Sequence, residues 1–380
     1  MKKFTIPFNK PYFTGKEVEY IRKTVSSGKI SGDGIYTAKC QKFFEDKYHF
    51  IKTLLTTSCT DALEMCALLL NIKSGDEVIC PSYTFVSTAN PFVLRGAKIV
   101  FADSMQDSPN IDVSKIESLI NKRTKAIIIV HYGGIACEMD KLMKIIKKYN
   151  ISLIEDCAQS IDSYYKNIPL GSFGKFSAFS FHETKNIISG EGGMIALNDN
   201  KYVKRAEIIR EKGTNRASFF RGEVNKYGWV DIGSSFLPSD IIAAILYSQL
   251  ENLKRIQTRR IALWNTYYSC LKPLEEECTI ILPEIPDYAT NNGHLFYMLC
   301  RNIKEREALI NYLKSFGILS VFHYLSLHKS PFYRKKHDGR KLPNSDKFSD
   351  CLLRLPMYYK LQLKQVNLIT QKIKKFYKNY

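Results

Sequence analysis

Short apolar runs alternate along this chain with stretches of helical spacing. Residues 51–57 (IKTLLTT), 78–80, 99–103, 125–131 (KAIIIVH), 151–156 (ISLIED) and 176–181 read as strands. The run at 125–131 is apolar almost without interruption, as a parallel strand buried on both faces requires. Helices are predicted over about 15–26, 36–47, 62–70, 113–121 and 139–149, where apolar residues recur at helical spacing or polar caps bound the segment. Strand alternating with helix predicts an α/β fold around a parallel or mixed sheet. In such sheets ligands bind beyond the carboxyl ends of the strands. Past residue 200 the pattern predicts a helix over 202–212, a long helix over 238–270 with Pro238 near its start, and strands at 294–297 and 321–324.

Composition changes this picture little. A chain of 380 residues suits a large domain plus a smaller one. Hydrophobic residues make up 45% and charged residues 24%, as in ordinary soluble proteins. No apolar run is long enough to span a bilayer, and the start, MKKFTIPFNK, has no apolar signal segment, so a cytoplasmic protein without membrane contact is expected. The ten cysteines include no CxxC pair and read as free thiols, mostly small core residues, with neither disulfide nor zinc expected. The net charge of +19 is spread along the chain, with its densest run at the end, KQVNLITQKIKKFYKNY. That run reads as a solvated basic helix face. The charge fits steering of an anionic small substrate better than nucleic acid, which would need basic residues interleaved with aromatics on one element.

Four polar clusters fall at strand ends: Ser58 to Asp61, Tyr83 to Phe85, Asp156 to Gln159, and Ser180 to Lys185. Each has a plain reading and a chemical one. Ser58 can simply cap a helix with Asp61 in its first turn, or the same helix start can hold a phosphate. Asp156 can be a cap or a buried ion-pair member. Lys185 can be one more solvated lysine, or, held against apolar walls, an amine that loses its proton and forms a Schiff base with a carbonyl. If the sheet forms as read, the four clusters converge. A phosphate site, a stacking aromatic, an acid on a strand end and such a lysine are what pyridoxal phosphate (PLP) needs. No metal site is expected, because His323 and His328 lack a third ligand at suitable spacing.

The segments IEDCAQS, FSFHETKN and GEGGMI resemble the sugar-nucleotide aminotransferases of the DegT/DnrJ/EryC1/StrS family. The likeness runs from IPFNKPYFTGKE through SGKISGDG, PSYTFVSTAN, RGAKIVFAD and REKGTNR to FFRGEVNKYGWVDIGSS and VFHYLSLH. It implies a type I PLP-dependent aminotransferase fold, with a large mixed or parallel sheet domain over 1–245 and a smaller C-terminal α/β domain with a bridging helix over 246–380. It implies that Lys185 bonds the cofactor and shuttles protons, that Asp156 pairs with the ring nitrogen, and that Gln159 lies near the phenolic oxygen. Thr60, Asp61 and Ser180 match the phosphate site, and Phe85 the stacking aromatic, with Tyr83 as second candidate. Ser235 stands where many members carry an asparagine that reaches the neighbouring subunit's phosphate. Tyr83, Arg216, His323 and His328 are substrate candidates. His182 is read as packing or site lining. The branch resembled aminates dTDP-4-keto-6-deoxyglucose with L-glutamate, as a homodimer with shared active sites, toward O-antigen and other cell-surface polysaccharide sugars. Amination of a 3-keto sugar is the near alternative. A catalytically idle sensor would need Lys185 or Asp156 to be missing; relatives that act as dehydratases carry histidine in the lysine's place. Neither change is present.

Overall fold

The computed structural model describes residues 5–380. Its centre is a seven-stranded sheet made of β1 (Lys52–Thr56), β2 (Glu77–Pro81), β3 (Lys98–Ala102), β4 (Thr124–Val130), β5 (Ser152–Asp156), β6 (Phe176–Ser180) and β7 (Gly193–Leu197). The order across the sheet is β1-β7-β6-β5-β4-β2-β3. Every pairing is parallel except the two made by β7, which runs against both β1 and β6. The chain is thus α/β with a large, mostly parallel mixed sheet, as the alternating pattern predicts. The continuous apolar run takes a central place as β4, which is buried from Ala126 to Val130 and leaves neither face to water.

Helices cover both faces. On one side lie α1 (Glu17–Ser26), α2 (Ile35–Tyr48) and, further along, α4 (Met139–Tyr149); on the other lie α3 (Cys59–Leu69) and α5 (Val203–Arg210). Ser58 caps α3, its hydroxyl accepting from the Asp61 N–H at 3.0 Å, and Ala62, Leu63, Cys66 and Leu69 bury its apolar side. The helical pattern over 238–270 resolves into two helices, α6 (Asp240–Leu250) and α7 (Leu253–Glu276). At the break the Asn252 side chain takes the Ser248 carbonyl, at 2.9 Å, in place of a continuing backbone bond. The helix expected over 113–121 is one α-turn, Val113–Ile116, tightening into a 3₁₀ turn at Glu117–Leu119.

A second core gathers Leu263, Trp264 and Tyr267 of α7, the antiparallel pair β8 (Phe296–Leu299) and β9 (Leu352–Leu355), and the apolar faces of α8 (Ile303–Ser315) and α9 (Leu363–Asn379). The strand expected at 294–297 therefore begins two residues later. The strand expected at 321–324 does not form: only Val321 bridges to Arg354, and His323 and Tyr324 leave the ladder to make side-chain contacts.

Candidate active site

Strand register brings the sequence candidates to one level. Asp156, the last residue of β5, lies opposite Val130 on one side and Ala178 on the other. Gly193 opens β7 opposite both Thr56 and Ser180, so the chain leaving β1 and the loop leaving β6 flank one point. A Cβ on Gly193 would lie 2.2 to 2.4 Å from backbone atoms of Ser58 and Cys59, so only glycine lets the start of α3 seat here. The result is a cavity of about 620 Å³ whose walls include Ser58, Thr60, Phe85, Asp156, Gln159, Ser180, Lys185 and His323.

Lys185 rides the connection between β6 and β7. That loop is closed by backbone bonds from Glu183 to Gly190 and from Ser189 to Phe181. Its neighbour Asn186 is buried and clamps the loop: its amide donates to Gln257 of α7 and to the Asn292 carbonyl, and its oxygen meets His294 Nδ1 at 2.8 Å. The Lys185 amine has no carboxylate within ion-pair distance among the described residues. Burial lowers its pKa from the ordinary lysine value, with Asp156 and Arg354 pulling in opposite directions.

Asp156 is buried. Its carboxylate accepts from the Thr88 hydroxyl at 2.8 Å and from the Ala158 N–H at 3.1 Å. Burial nevertheless lifts its pKa above the usual carboxylate range. A buried acid with spare lone pairs facing a cavity is stabilised as an anion by a cation brought to it. Gln159 is fixed at both ends, Oε1 accepting from the Gly133 N–H at 2.7 Å and Nε2 donating to the Tyr324 hydroxyl at 3.0 Å. Its second amide hydrogen remains for a ligand. At the start of α3 the N–H groups of Cys59 and Thr60 have no intrahelical acceptor, and the hydroxyls of Thr60 and Ser87 pair beside them at 2.8 Å. An anion cradle, a cation-seeking acid and an unpaired amine in one cavity fit PLP.

Other candidates sit elsewhere. Asp61 does not face the cavity; its carboxylate accepts from Thr57, so the cradle draws on backbone N–H groups instead. Tyr83 is 1% exposed and lies behind the wall, packed on Tyr132, Tyr324 and Phe348. This leaves Phe85, 56% exposed on the cavity rim, as the aromatic available for stacking. His328 bonds Ser82 at 2.7 Å and ties the chain after β2 to the C-terminal body, away from the cavity. Arg216 pairs with Glu211 and stacks on Phe220, and Ser235 is exposed; neither reaches this chain's cavity. His323 does line it, with Nδ1 against the Tyr132 hydroxyl at 2.5 Å.

Glu155, next to Asp156, faces the other way. It accepts three backbone N–H groups, from Gly171, Phe173 and Gly174, and meets His131 Nε2 at 3.1 Å. His131 Nδ1 in turn accepts from the Cys137 N–H. The cluster of His131, Glu155 and Cys157 has the spacing of metal ligands, yet the carboxylate and imidazole are already engaged and brace β4 against β5. Among the residues at or beside the cavity that the sequence reading does not single out are Ser87, Asn186, His294 and Arg354. For Arg354 a signal existed, a lone charge inside the apolar run LLRLP.

Fold and cavity together define a PLP-dependent aminotransferase. The chain belongs to the DegT/DnrJ/EryC1/StrS aminotransferase family, whose model matches residues 11–374. It is 33% identical to MJ1066, an uncharacterised protein of Methanocaldococcus jannaschii, over 98% of this chain and 97% of that one. It is 32% identical to the GDP-perosamine synthase of Escherichia coli O157:H7, over 98% of each chain. Its fold superimposes on Spr1654 of Streptococcus pneumoniae in the PLP form with a TM-score of 0.90, at 26% identity, covering 98% of this chain and 99% of that one. The protein is a sugar aminotransferase of nucleotide-sugar biosynthesis, and its cofactor is PLP.

Proposed function

We propose that this enzyme transfers the amino group of L-glutamate to C4 of dTDP-4-keto-6-deoxy-D-glucose, giving a dTDP-4-amino-4,6-dideoxyhexose and 2-oxoglutarate. The observation that carries the sugar is the ordered set FHETKN, REKGTNR, FFRGEVNKYGWVDIGSS and VFHYLSLH, which resembles the branch acting on that substrate. The chemistry is supported by an unpaired, pKa-lowered Lys185 in one cavity with Asp156.

PLP, when bound, would supply a carbonyl for the donor's nitrogen and an electron sink for the pair left when the α-proton departs. The residues of the chain do the rest. The Thr60 and Cys59 N–H groups and the Ser180 hydroxyl would hold the phosphate. Asp156 would keep a proton on the ring nitrogen, and Gln159, held by Gly133 and Tyr324, would orient the phenolic side. Lys185 Nζ, whose pKa burial lowers, would take the α-proton and deliver it to the carbon on the other side of the transferred nitrogen, acting as base and then as acid. The keto sugar then enters the same cavity and the steps run in reverse, so the kinetics are ping-pong.

We assign the working form as a homodimer in the cytoplasm, supplying sugars for cell-surface polysaccharide. Exposed Phe219, Phe220, Tyr227 and Trp229, the last 85% exposed, support a partner surface around Arg216 and Ser235. The described residues contain no helix long and apolar enough to cross a membrane.

A second acceptor is favoured by one finding, the likeness to a GDP-perosamine synthase. The test is to give the holoenzyme dTDP- and GDP-linked 4-keto-6-deoxyhexoses separately, with glutamate, and to resolve products by mass spectrometry and NMR. A 4-amino product from the dTDP sugar supports the proposal. Turnover of the GDP sugar alone, or nitrogen at C3, replaces it.

A further inference from the structure

His294 carries a ring nitrogen that nothing in the fold uses. The residue lines the Lys185 cavity and is buried at its wall. Its backbone N–H donates to Asn292 Oδ1 at 2.9 Å, and its carbonyl accepts from Arg260 Nη2 at 2.6 Å. Its Nδ1 meets Asn186 Oδ1 at 2.8 Å. Nε2 alone has no hydrogen-bond partner among the described residues.

The partners decide which ring nitrogen holds the proton. Gln257 Nε2 donates to the Ile161 carbonyl at 3.2 Å, so Gln257 turns Oε1 toward Asn186. Asn186 Nδ2 donates to that oxygen and to the Asn292 carbonyl, each at 2.9 Å. A carbonyl can only accept, so both amide orientations are fixed. Asn186 therefore offers His294 an oxygen, and Nδ1 is the donor. Burial, and then the charges of Lys185, Arg260 and Arg354, hold the ring well below the ordinary histidine pKa. A neutral ring protonated at Nδ1 leaves Nε2 a bare lone pair. Asn186 adjoins Lys185 in the chain, so the same bond fixes this ring relative to the loop that carries the reacting amine.

A buried acceptor without a donor calls for one from a ligand. The inference rests on the proposed reaction, whose two substrates differ on this point. The amino acid's carboxylates are acceptors and would meet the lone pair unfavourably, and its nitrogen is the group transferred. The keto sugar carries a hydroxyl beside C4, at C3; its other neighbour, C5, bears no hydroxyl. We infer that His294 is a sugar-specificity residue, its Nε2 accepting a hydrogen bond from the hydroxyl next to the reacting carbon.

The test uses full-length enzyme loaded with pyridoxamine phosphate, as wild type, H294N and H294Q, each checked for native circular dichroism. An asparagine nitrogen takes the place of Nδ1, keeping the bond to Asn186 while deleting Nε2. A glutamine puts its amide at the place of Nε2 and gives up the bond to Asn186. The probes are dTDP-6-deoxyglucose, which lacks the keto group and does not react, and its 3-deoxy counterpart, with affinities from calorimetry. One neutral hydrogen bond of this kind is worth about 3- to 10-fold in affinity. Wild type should favour the probe with the C3 hydroxyl by that factor, H294N should bind the two probes equally, and H294Q should retain a preference. No preference in wild type, or the same preference in H294N as in wild type, would overturn the inference and leave Nε2 to water or packing. If wild type bound neither dTDP probe but aminated a GDP-linked sugar, the proposed acceptor would fall, and the same pair of probes on GDP would still judge His294.

Discussion

Adding one methyl group at Gly193 should loosen the cofactor site without touching any side chain in it. The new Cβ would lie 2.2 Å from the Ser58 carbonyl carbon, 2.3 Å from the Cys59 nitrogen and 2.4 Å from the Ser58 oxygen. Ordinary carbon contacts begin near 3.4 Å, so the start of α3 must retreat by roughly 1 Å. All three atoms are backbone, and no side-chain rotation relieves them. Forcing a methyl group into a packed site costs about 1–3 kcal/mol. Because the displaced atoms are the anion cradle itself, most of that cost falls on binding. Pyridoxamine phosphate, which forms no bond to Lys185, reads the cradle alone. Its dissociation constant, measured by calorimetry on apo protein, should rise about 10- to 100-fold in G193A, since about 1.4 kcal/mol is tenfold. G190A is the control: Gly190 has φ 88° and nothing within 4 Å of a built Cβ. It should lose about 1–2 kcal/mol of stability from backbone strain and keep its affinity. Equal affinity in G193A and wild type, or an equal loss in both variants, would refute the close-approach argument.

Three further outcomes follow. Lys185 has a folded-state pKa below its unfolded value near 10.4, so protonating it in the fold opposes stability below the folded pKa, and that penalty fades as pH rises through the window between the two values. Apo K185M should therefore be more stable than apo wild type in urea at pH 7, with the gap closing toward about pH 10.4, and should lose transamination altogether; a gap that widened with pH would contradict the assignment. D156N should retain the fold but lower kcat by on the order of 100-fold or more, since an amide cannot hold the ring nitrogen's proton; stopped-flow absorbance of the glutamate half-reaction checks it. N186A strands buried groups of Gln257, Asn292 and His294 and should cost about 3 kcal/mol in denaturation, with the chief loss in the loop that carries Lys185.

The large sheet was legible because its strands are short apolar runs between helical stretches, a pattern with few alternative folds. The cavity-lining residues were legible for the same reason: Asp156 and Ser180 end strands, Thr60, Phe85, Gln159 and Lys185 follow strand ends within five residues, and parallel strands end together. What the pattern could not carry was contact across the two cores. Arg354 and His294 belong to the C-terminal body yet face a cavity built by the sheet, and no spacing along the chain records that meeting. The segment at 321–324 looked like a strand because Val321, Phe322 and Tyr324 have strand composition; its residues instead serve Tyr132, Gln159 and the cavity wall. Tyr83 and Asp61 were assigned to the site by motif, but a side chain's direction depends on neighbours, and theirs are satisfied behind the wall or at Thr57. The break between α6 and α7 turned on one asparagine side chain, too local a competition for a periodicity of apolar residues to register.

The most direct measurement is the visible absorbance of the purified holoenzyme, first with glutamate and then with dTDP-4-keto-6-deoxyglucose. The account predicts that the cofactor's visible band bleaches with glutamate and returns when the sugar is added, with an aminated sugar nucleotide appearing in the same tube. A band that bleaches with glutamate but never returns with this sugar would contradict the proposed acceptor, and one that glutamate leaves unchanged would contradict the use of glutamate as donor.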